Sequence, residues 1–261
     1  MIKSPLGDAT IAAPPTIEAG AIRQPYDLVI LSCKAYDLAG AIDDIAPAVG
    51  PGTAIIPLLN GMSHLDVLDG RFGAEHVMGG LAIAALTIDD AGRILHLNDQ
   101  HTLTFGERDG SRSARALAIE AALSNATFTA RLSEQILLEM WEKWVFLATL
   151  AAETCLMRAA VGDILAAGGA AFMNDMLAEC VAIATACGYP PRDVATQRMK
   201  TMISAPGSTL TASMLRDVER GSKTEADHVL GDLIRRGPGD SRLLSLAYLN
   251  LKAYEARRLR G

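Results

Sequence analysis

Residues 26–68 constrain the fold more than any other stretch. Tyr26-Asp27-Leu28-Val29-Ile30-Leu31-Ser32-Cys33 is a short apolar run behind a polar start, the pattern of a strand buried on both faces of a parallel sheet. From Asp37 to Val49 the residues Leu38, Ile42, Ile45, Ala46 and Val49 recur at helical spacing, and Gly50-Pro51-Gly52 stops the helix. Thr53-Ala54-Ile55-Ile56-Pro57-Leu58-Leu59 reads as a second strand, Asn60-Gly61 as a turn directly after it, and Ser63 as the cap of a short helix through Leu68. Strand, helix, strand, turn and helix in that order imply a wound, parallel α/β sheet.

Residues 76–88, 93–97 and 102–105 read as further strands, separated by turns at Asp90-Ala91-Gly92 and Asn98-Asp99; 111–123 reads as helix and 127–131 as a last short strand. Beyond Ser133 the pattern is helical only, over 133–157, 170–187, 192–204, 211–220, 224–235 and 241–259. The expected architecture is an α/β domain over 1–132 followed by an all-α domain over 133–261. Half of the residues are hydrophobic and only 5% are aromatic, so aliphatic side chains must fill the cores. A chain this apolar is not intrinsically disordered.

Charge and composition exclude several function classes. Lys and Arg number 24 against 30 Asp and Glu, with no basic stripe, so no nucleic-acid partner is expected. The longest helix-like apolar run, 144–152, falls short of the ~20 residues of a membrane span, and no secretory h-region is read at Met1 to Gly7. A soluble, cytoplasmic protein without a membrane partner is expected. Cys33, Cys155, Cys180 and Cys187 form no C-x-x-C pair and read as buried free thiols, with neither zinc nor a disulfide framework. The five histidines read as structural, and Met140, Met157, Met173 and Met176 as core filler.

Five side chains can carry chemistry. Asn60 ends a predicted parallel strand, the edge where ligands bind in open α/β sheets, although Asn-Gly also serves an ordinary turn. Lys34, just past the other strand, can reach the same crevice or lie solvated. Lys143 interrupts a helix apolar over much of its circumference, which costs free energy unless the lysine pairs with Glu139 at i,i+4 or faces a polar cleft. A lysine in a partly dry cleft has a shifted pKa and can donate a proton. Ser213 and Glu225 fit helix N-terminal positions as readily as a ligand site.

In order and spacing, these segments resemble the ketopantoate reductase (2-dehydropantoate 2-reductase) family. The resemblance runs through Asp27-Leu28-Val29-Ile30, Lys34-Ala35-Tyr36-Asp37, Pro57-Leu58-Leu59-Asn60-Gly61-Met62 and Met78-Gly79-Gly80. It continues with Trp141-Glu142-Lys143-Trp144, Arg158-Ala159-Ala160-Val161-Gly162-Asp163-Ile164, Ser213-Met214-Leu215-Arg216-Asp217 and Lys223-Thr224-Glu225. It implies a Rossmann domain, an all-α C-terminal domain and reduction of a 2-keto acid to a 2-hydroxy acid by NADPH in the cleft. It casts Lys143 as the general acid, Asn60 and Lys34 as contacts to both nicotinamide and substrate, and Ser213 as a substrate contact. Glu225 would serve the cofactor side or orient the substrate hydroxyl, and the backbone of Ala85 would touch the cofactor. The expected partner is a small 2-keto acid, and a homodimer stays open.

Two departures stand out. Leu147 and Ala151 occupy positions where the family usually presents asparagines, and Leu210 one where a polar amide is common, so a relative that reduces another, more apolar 2-keto acid fits as well as one that reduces ketopantoate. The family also opens with a strand, a G-x-G-x-x-G turn and a helix that cradle the pyrophosphate. No such motif occurs in these 261 residues. The Rossmann domain is therefore expected to be incomplete at its N-terminus, and NADP binding impaired. The chain is then either an incomplete form of a longer reading frame or a short relative with weak cofactor binding. A cofactor-free binding or dimerisation module is the alternative.

Overall fold

The computed structural model describes residues 1–260. They fall into two compact units: 1–33 with 37–59 and 65–136, and 34–36 with 60–64 and everything from Leu137 on.

The first unit is α/β. In chain order it contains β1 (Ile2–Lys3), β2 (Leu28–Leu31), α1 (Leu38–Ile45), β3 (Ala54–Pro57), α2 (Ser63–Phe72), β4 (Gly79–Ile83), β5 (Leu86–Ile88), β6 (Ile94–His96), β7 (Thr102–Gly106), α3 (Ala114–Leu123) and β8 (Thr129–Leu132), with the first two residues of α2 grouping with the second unit. β2 and β3 pair in parallel, with Leu28 opposite Ala54 and Leu31 opposite Pro57. A second sheet has the order β4-β7-β8, antiparallel then parallel. The third, β1-β6-β5, joins a parallel pair to a hairpin. The approach to β4 runs beside β3: Ile55 N–H donates to the His76 carbonyl at 2.8 Å, and Met78 N–H to the Ile55 carbonyl at 2.9 Å.

The core of this unit is Ala54, Ile56, Met78, Leu103, Phe105, Ala116, Ile119 and Leu132, one ring among aliphatic side chains. Gly80 has no substitute here, because a Cβ would sit 2.5 Å from Ile56 Cγ2 and 2.7 Å from the Pro57 carbonyl. Ser113 caps α3 by accepting from Ala116 N–H at 3.2 Å.

The structure corrects two expectations in this unit and adds one strand. Residues 76–88 are not one strand, because β4 and β5 belong to different sheets. The break falls at Ala84-Ala85, where the Ala85 carbonyl accepts Leu97 N–H at 2.8 Å and closes the β5–β6 hairpin. β1 is a two-residue strand, too short to leave a periodic signal. Cys33 is only partly buried.

The second unit is helical: α4 (Ile136–Met157, from its second residue), α5 (Val161–Ala166), α6 (Ala170–Ala186), α7 (Asp193–Ile203), α8 (Ser213–Glu219), a π-helical segment (Asp227–Gly231) running into α9 (Asp232–Arg236), and α10 (Arg242–Arg258). Met140, Met173 and Met176 fill its core, but Met157, at the C-terminal end of α4, is exposed. Cys187 is partly buried, whereas Cys155 and Cys180 are fully enclosed. α5, less than two turns long, carries too few periodic positions to be read from sequence. No helix among the described residues is long and apolar enough to cross a membrane.

Carboxylates satisfy two helix starts in this unit. Glu179 accepts Leu243 N–H at 3.0 Å and Leu244 N–H at 2.9 Å, completing the first turn of α10. Glu142 accepts the Arg192 backbone N–H at 2.9 Å and grips its guanidinium at 2.8 and 2.5 Å, just before α7. Glu142→Ala would remove these three bonds to Arg192, and the half-exposed guanidinium recovers part of that loss from water. Urea melts are expected to show a loss of about 1–3 kcal/mol, and an unchanged midpoint would show that the pair contributes nothing.

Candidate active site

The site is built within the second unit. Lys34-Ala35-Tyr36 follows β2 and Asn60-Gly61-Met62-Ser63-His64 follows β3, and both stretches group with the helices. Glu225 is the hub. Its Oε1 accepts Ala35 N–H at 3.0 Å, and its Oε2 accepts the Lys34 ammonium at 3.1 Å. Asp217 Oδ2 takes the same ammonium at 3.4 Å. Burial alone would lower the Lys34 pKa, but the two carboxylates outweigh it and hold the group above its ordinary value.

Lys143 is the opposite case. It lies partly buried on α4, and no hydrogen bond or ion pair holds its ammonium among the described residues. The pair with Glu139 is not formed. Burial pushes its pKa down to about 8, against the opposing pull of Glu225. Such an ammonium is still charged at neutral pH yet gives up its proton readily, the property a general acid needs. Leu147 and Ala151 follow on the same face at i+4 and i+8. Leu147 is half-buried and Ala151 buried, so α4 offers no polar side chain there.

Ser213 is the first residue of α8 and is exposed, and Asp217 stands one turn later on the same face. The Lys34–Asp217 contact thus places Lys34 and Glu225 beside the face that carries Ser213. Asn60 is half-buried, and the turn after it needs a glycine. Gly61 has φ +83°, and a Cβ there would meet His228 Cδ2 at 3.1 Å and Nε2 at 3.2 Å. Leu210, also half-buried, offers its carbonyl to Val161 N–H at 3.0 Å. Ala85 lies in the first unit, where its N–H donates to Asn98 Oδ1 at 3.3 Å and its carbonyl is taken by Leu97. Lys34, Asn60, Lys143, Ser213 and Glu225 therefore share one unit, and Ala85 belongs to the other.

Sequence reasoning passed over Asp217 as a lysine partner and read His64 and His228 as unrelated. The two rings lie 5.6 Å apart. Their signal was spacing: His64 follows Asn60 by four residues, and His228 follows Glu225 by three. The π-helical turn that carries His228 is a form frequent at functional sites. It is held by Trp144 Nε1–H donating to the Val229 carbonyl at 2.9 Å, and Thr224 donates to Glu255 at 2.5 Å just before it. A cavity of about 460 Å³ opens beside this turn, lined among others by Ser63, Lys223, Glu225, Asp227, His228 and Arg235.

Comparison with known proteins places the chain. The family model for ketopantoate reductase PanE/ApbA matches residues 1–110, and the model for its C-terminal part matches residues 135–240. An uncharacterised oxidoreductase of Bacillus subtilis, YkpB, is 33% identical over 249 residues, covering 94% of this chain and 82% of that protein. The crystal structure of 2-dehydropantoate 2-reductase from Methylococcus capsulatus superposes with a TM-score of 0.85 at 25% identity, over 98% of this chain and 84% of that one. A D-mandelate dehydrogenase solved with NADH and anilino(oxo)acetate shares the fold at 18% identity and a TM-score of 0.79, covering 93% and 79% of the two chains. With both family models matched and a relative of this identity over most of its length, the chain belongs to the ketopantoate reductase PanE/ApbA family of oxidoreductases.

Proposed function

We propose that the chain reduces a 2-keto acid to the 2-hydroxy acid with NADPH, Lys143 acting as general acid. The observation that carries this reading is the Lys143 ammonium, partly buried and unpaired, with its pKa lowered to about 8. When bound, the nicotinamide supplies the hydride. Lys143 supplies the proton to the carbonyl oxygen, Asn60 and Ser213 orient the substrate, and Glu225 holds Lys34 in place at the nicotinamide end. Ala85 offers little to the cofactor, since its backbone groups are already bonded. The side chains fit a nicotinamide end, but no G-x-G-x-x-G of these 261 residues can cradle a pyrophosphate.

The apolar Leu147 and Ala151 favour a 2-keto acid with a hydrocarbon side chain over ketopantoate, because a hydroxyl placed there finds no partner. The test is NADPH oxidation at high cofactor concentration with ketopantoate, branched-chain and aryl 2-keto acids. The expected result is turnover with a preference for the apolar acids and weak NADPH binding by fluorescence titration. A micromolar Kd for NADPH would overturn the expectation of weak binding. A cofactor-free binding or dimerisation role is the second reading, and it predicts no NADPH oxidation with any of these acids.

A further inference from the structure

The histidine pair runs from the cavity into the core. Ser63 Oγ and His228 Nδ1 are 2.8 Å apart, and both residues line the cavity. His228 Nε2, on the far side of its ring, is buried without a hydrogen-bond partner among the described residues. His64 is 0% exposed, and both of its ring nitrogens are in the same state. Its ring is inclined at 34° to that of His228, and burial, then His228, then Lys143 hold its pKa down. Three orphaned ring nitrogens in one cluster demand an explanation, since buried polar atoms are satisfied by protein or by bound water. A neutral imidazole carries one N–H and one lone pair, so it can accept a proton on one nitrogen while releasing one from the other.

We propose that Ser63, His228 and His64, bridged by water at the orphaned nitrogens, form a relay that carries protons from the cavity to Lys143. The proposal rests on the reading of Lys143 as proton donor. In that reaction hydride forms the new C–H bond, and the Lys143 proton forms the O–H bond on the former carbonyl oxygen. The amine left behind then takes a proton from the His64 side. His64 is reloaded from His228, His228 from Ser63, and Ser63 from water in the cavity. One O–H bond breaks in solvent for each N–H bond restored at Lys143, and no electrons move along the chain.

The surroundings suit passage through neutral rings. Burial, then His228, Lys143 and Arg236, press His64 down to about 3. Burial also lowers His228, although Glu225, the Asn60 carbonyl and Asp232 pull the other way and Arg235 adds to the lowering. Neither ring stores charge at neutral pH. The relay residues touch no substrate and act through Lys143.

The test compares His64→Phe, His228→Gln and Ser63→Ala with the parent chain in H2O and D2O. The expected result is kcat lowered by about tenfold or more, KM unchanged, and a larger solvent isotope effect on kcat. A folded His64→Phe protein with the parent kcat and isotope effect overturns the relay. Ring ¹⁵N NMR on the chain without substrate or cofactor decides the same point independently of turnover. The His64 ring is expected to stay neutral from about pH 5 to 8, His228 to titrate below the ordinary imidazole value, and Lys143→Met to shift the His64 resonances. Rings that titrate near 6.5 as free imidazoles, indifferent to Lys143, overturn the relay. Failure of the functional reading shows instead as a parent chain that reduces no 2-keto acid.

Discussion

Replacing Lys143 by methionine is expected to lower kcat by about 10²–10⁴-fold, with KM changed far less. Methionine keeps the length and apolar stem that α4 presents but cannot supply a proton. The loss should fall on the step in which negative charge develops on the carbonyl oxygen. Arginine at the same position keeps the charge and yields its proton far less readily, because guanidinium stays protonated under all accessible conditions. Lys143→Arg should therefore also be slow, which separates proton donation from simple electrostatic attraction. The pH dependence carries the same signature. The acid must be protonated to act, so kcat of the parent chain should fall as pH rises through about 8, the value to which burial lowers the lysine. Glu225 opposes that lowering, so Glu225→Gln should move the inflection to lower pH. A methionine variant with the parent rate would remove Lys143 from the chemistry. A flat kcat profile between about pH 7 and 9 would show that its protonation does not limit turnover.

What the sequence revealed of the site follows from how local each signal is. Leu28-Val29-Ile30-Leu31 is an uninterrupted apolar run, and it forms the parallel strand β2. Asn60-Gly61 marks a turn by composition, and Gly61 does adopt a positive φ. Lys143 is conspicuous because charge on an apolar helix needs a reason, and its unpaired ammonium lacks the ordinary one. The contacts that bring these residues together are not local. Lys34 meets Glu225 across 191 positions of the chain and Asp217 across 183. The Ser63–His228 bond spans 165. No periodicity encodes such pairs, so Asp217 carried no role of its own and the histidines read as structural. The sheet was over-read for a related reason. The apolar run 76–88 gives no sign of where it changes partner, because that depends on the β5–β6 hairpin and its bond from Leu97 to Ala85.

A second acid in the helical unit predicts a large effect on stability. Glu153 on α4 is 0% exposed, and neither carboxylate oxygen has a hydrogen-bond partner among the described residues. Burial pushes its pKa up from 4.5 to about 8. The folded chain therefore keeps the proton where the unfolded chain has lost it. Stability is greatest below about pH 4.5 as far as this group is concerned. It falls by about 1.4 kcal/mol per pH unit as pH rises towards the folded value, and levels off above it. The whole interval amounts to something on the order of 5 kcal/mol. Glu153→Gln removes the ionisation and leaves shape and volume nearly unchanged. The variant should match the parent in urea melts near pH 4, where the carboxyl is mostly neutral in both states, and exceed it increasingly towards pH 8. Parallel stability profiles for the two proteins would mean that Glu153 ionises as freely in the fold as out of it. Glu153→Leu adds a second comparison. If the acid serves only to fill space, leucine should stabilise the unit at both pH values, because it also removes the two unsatisfied oxygens.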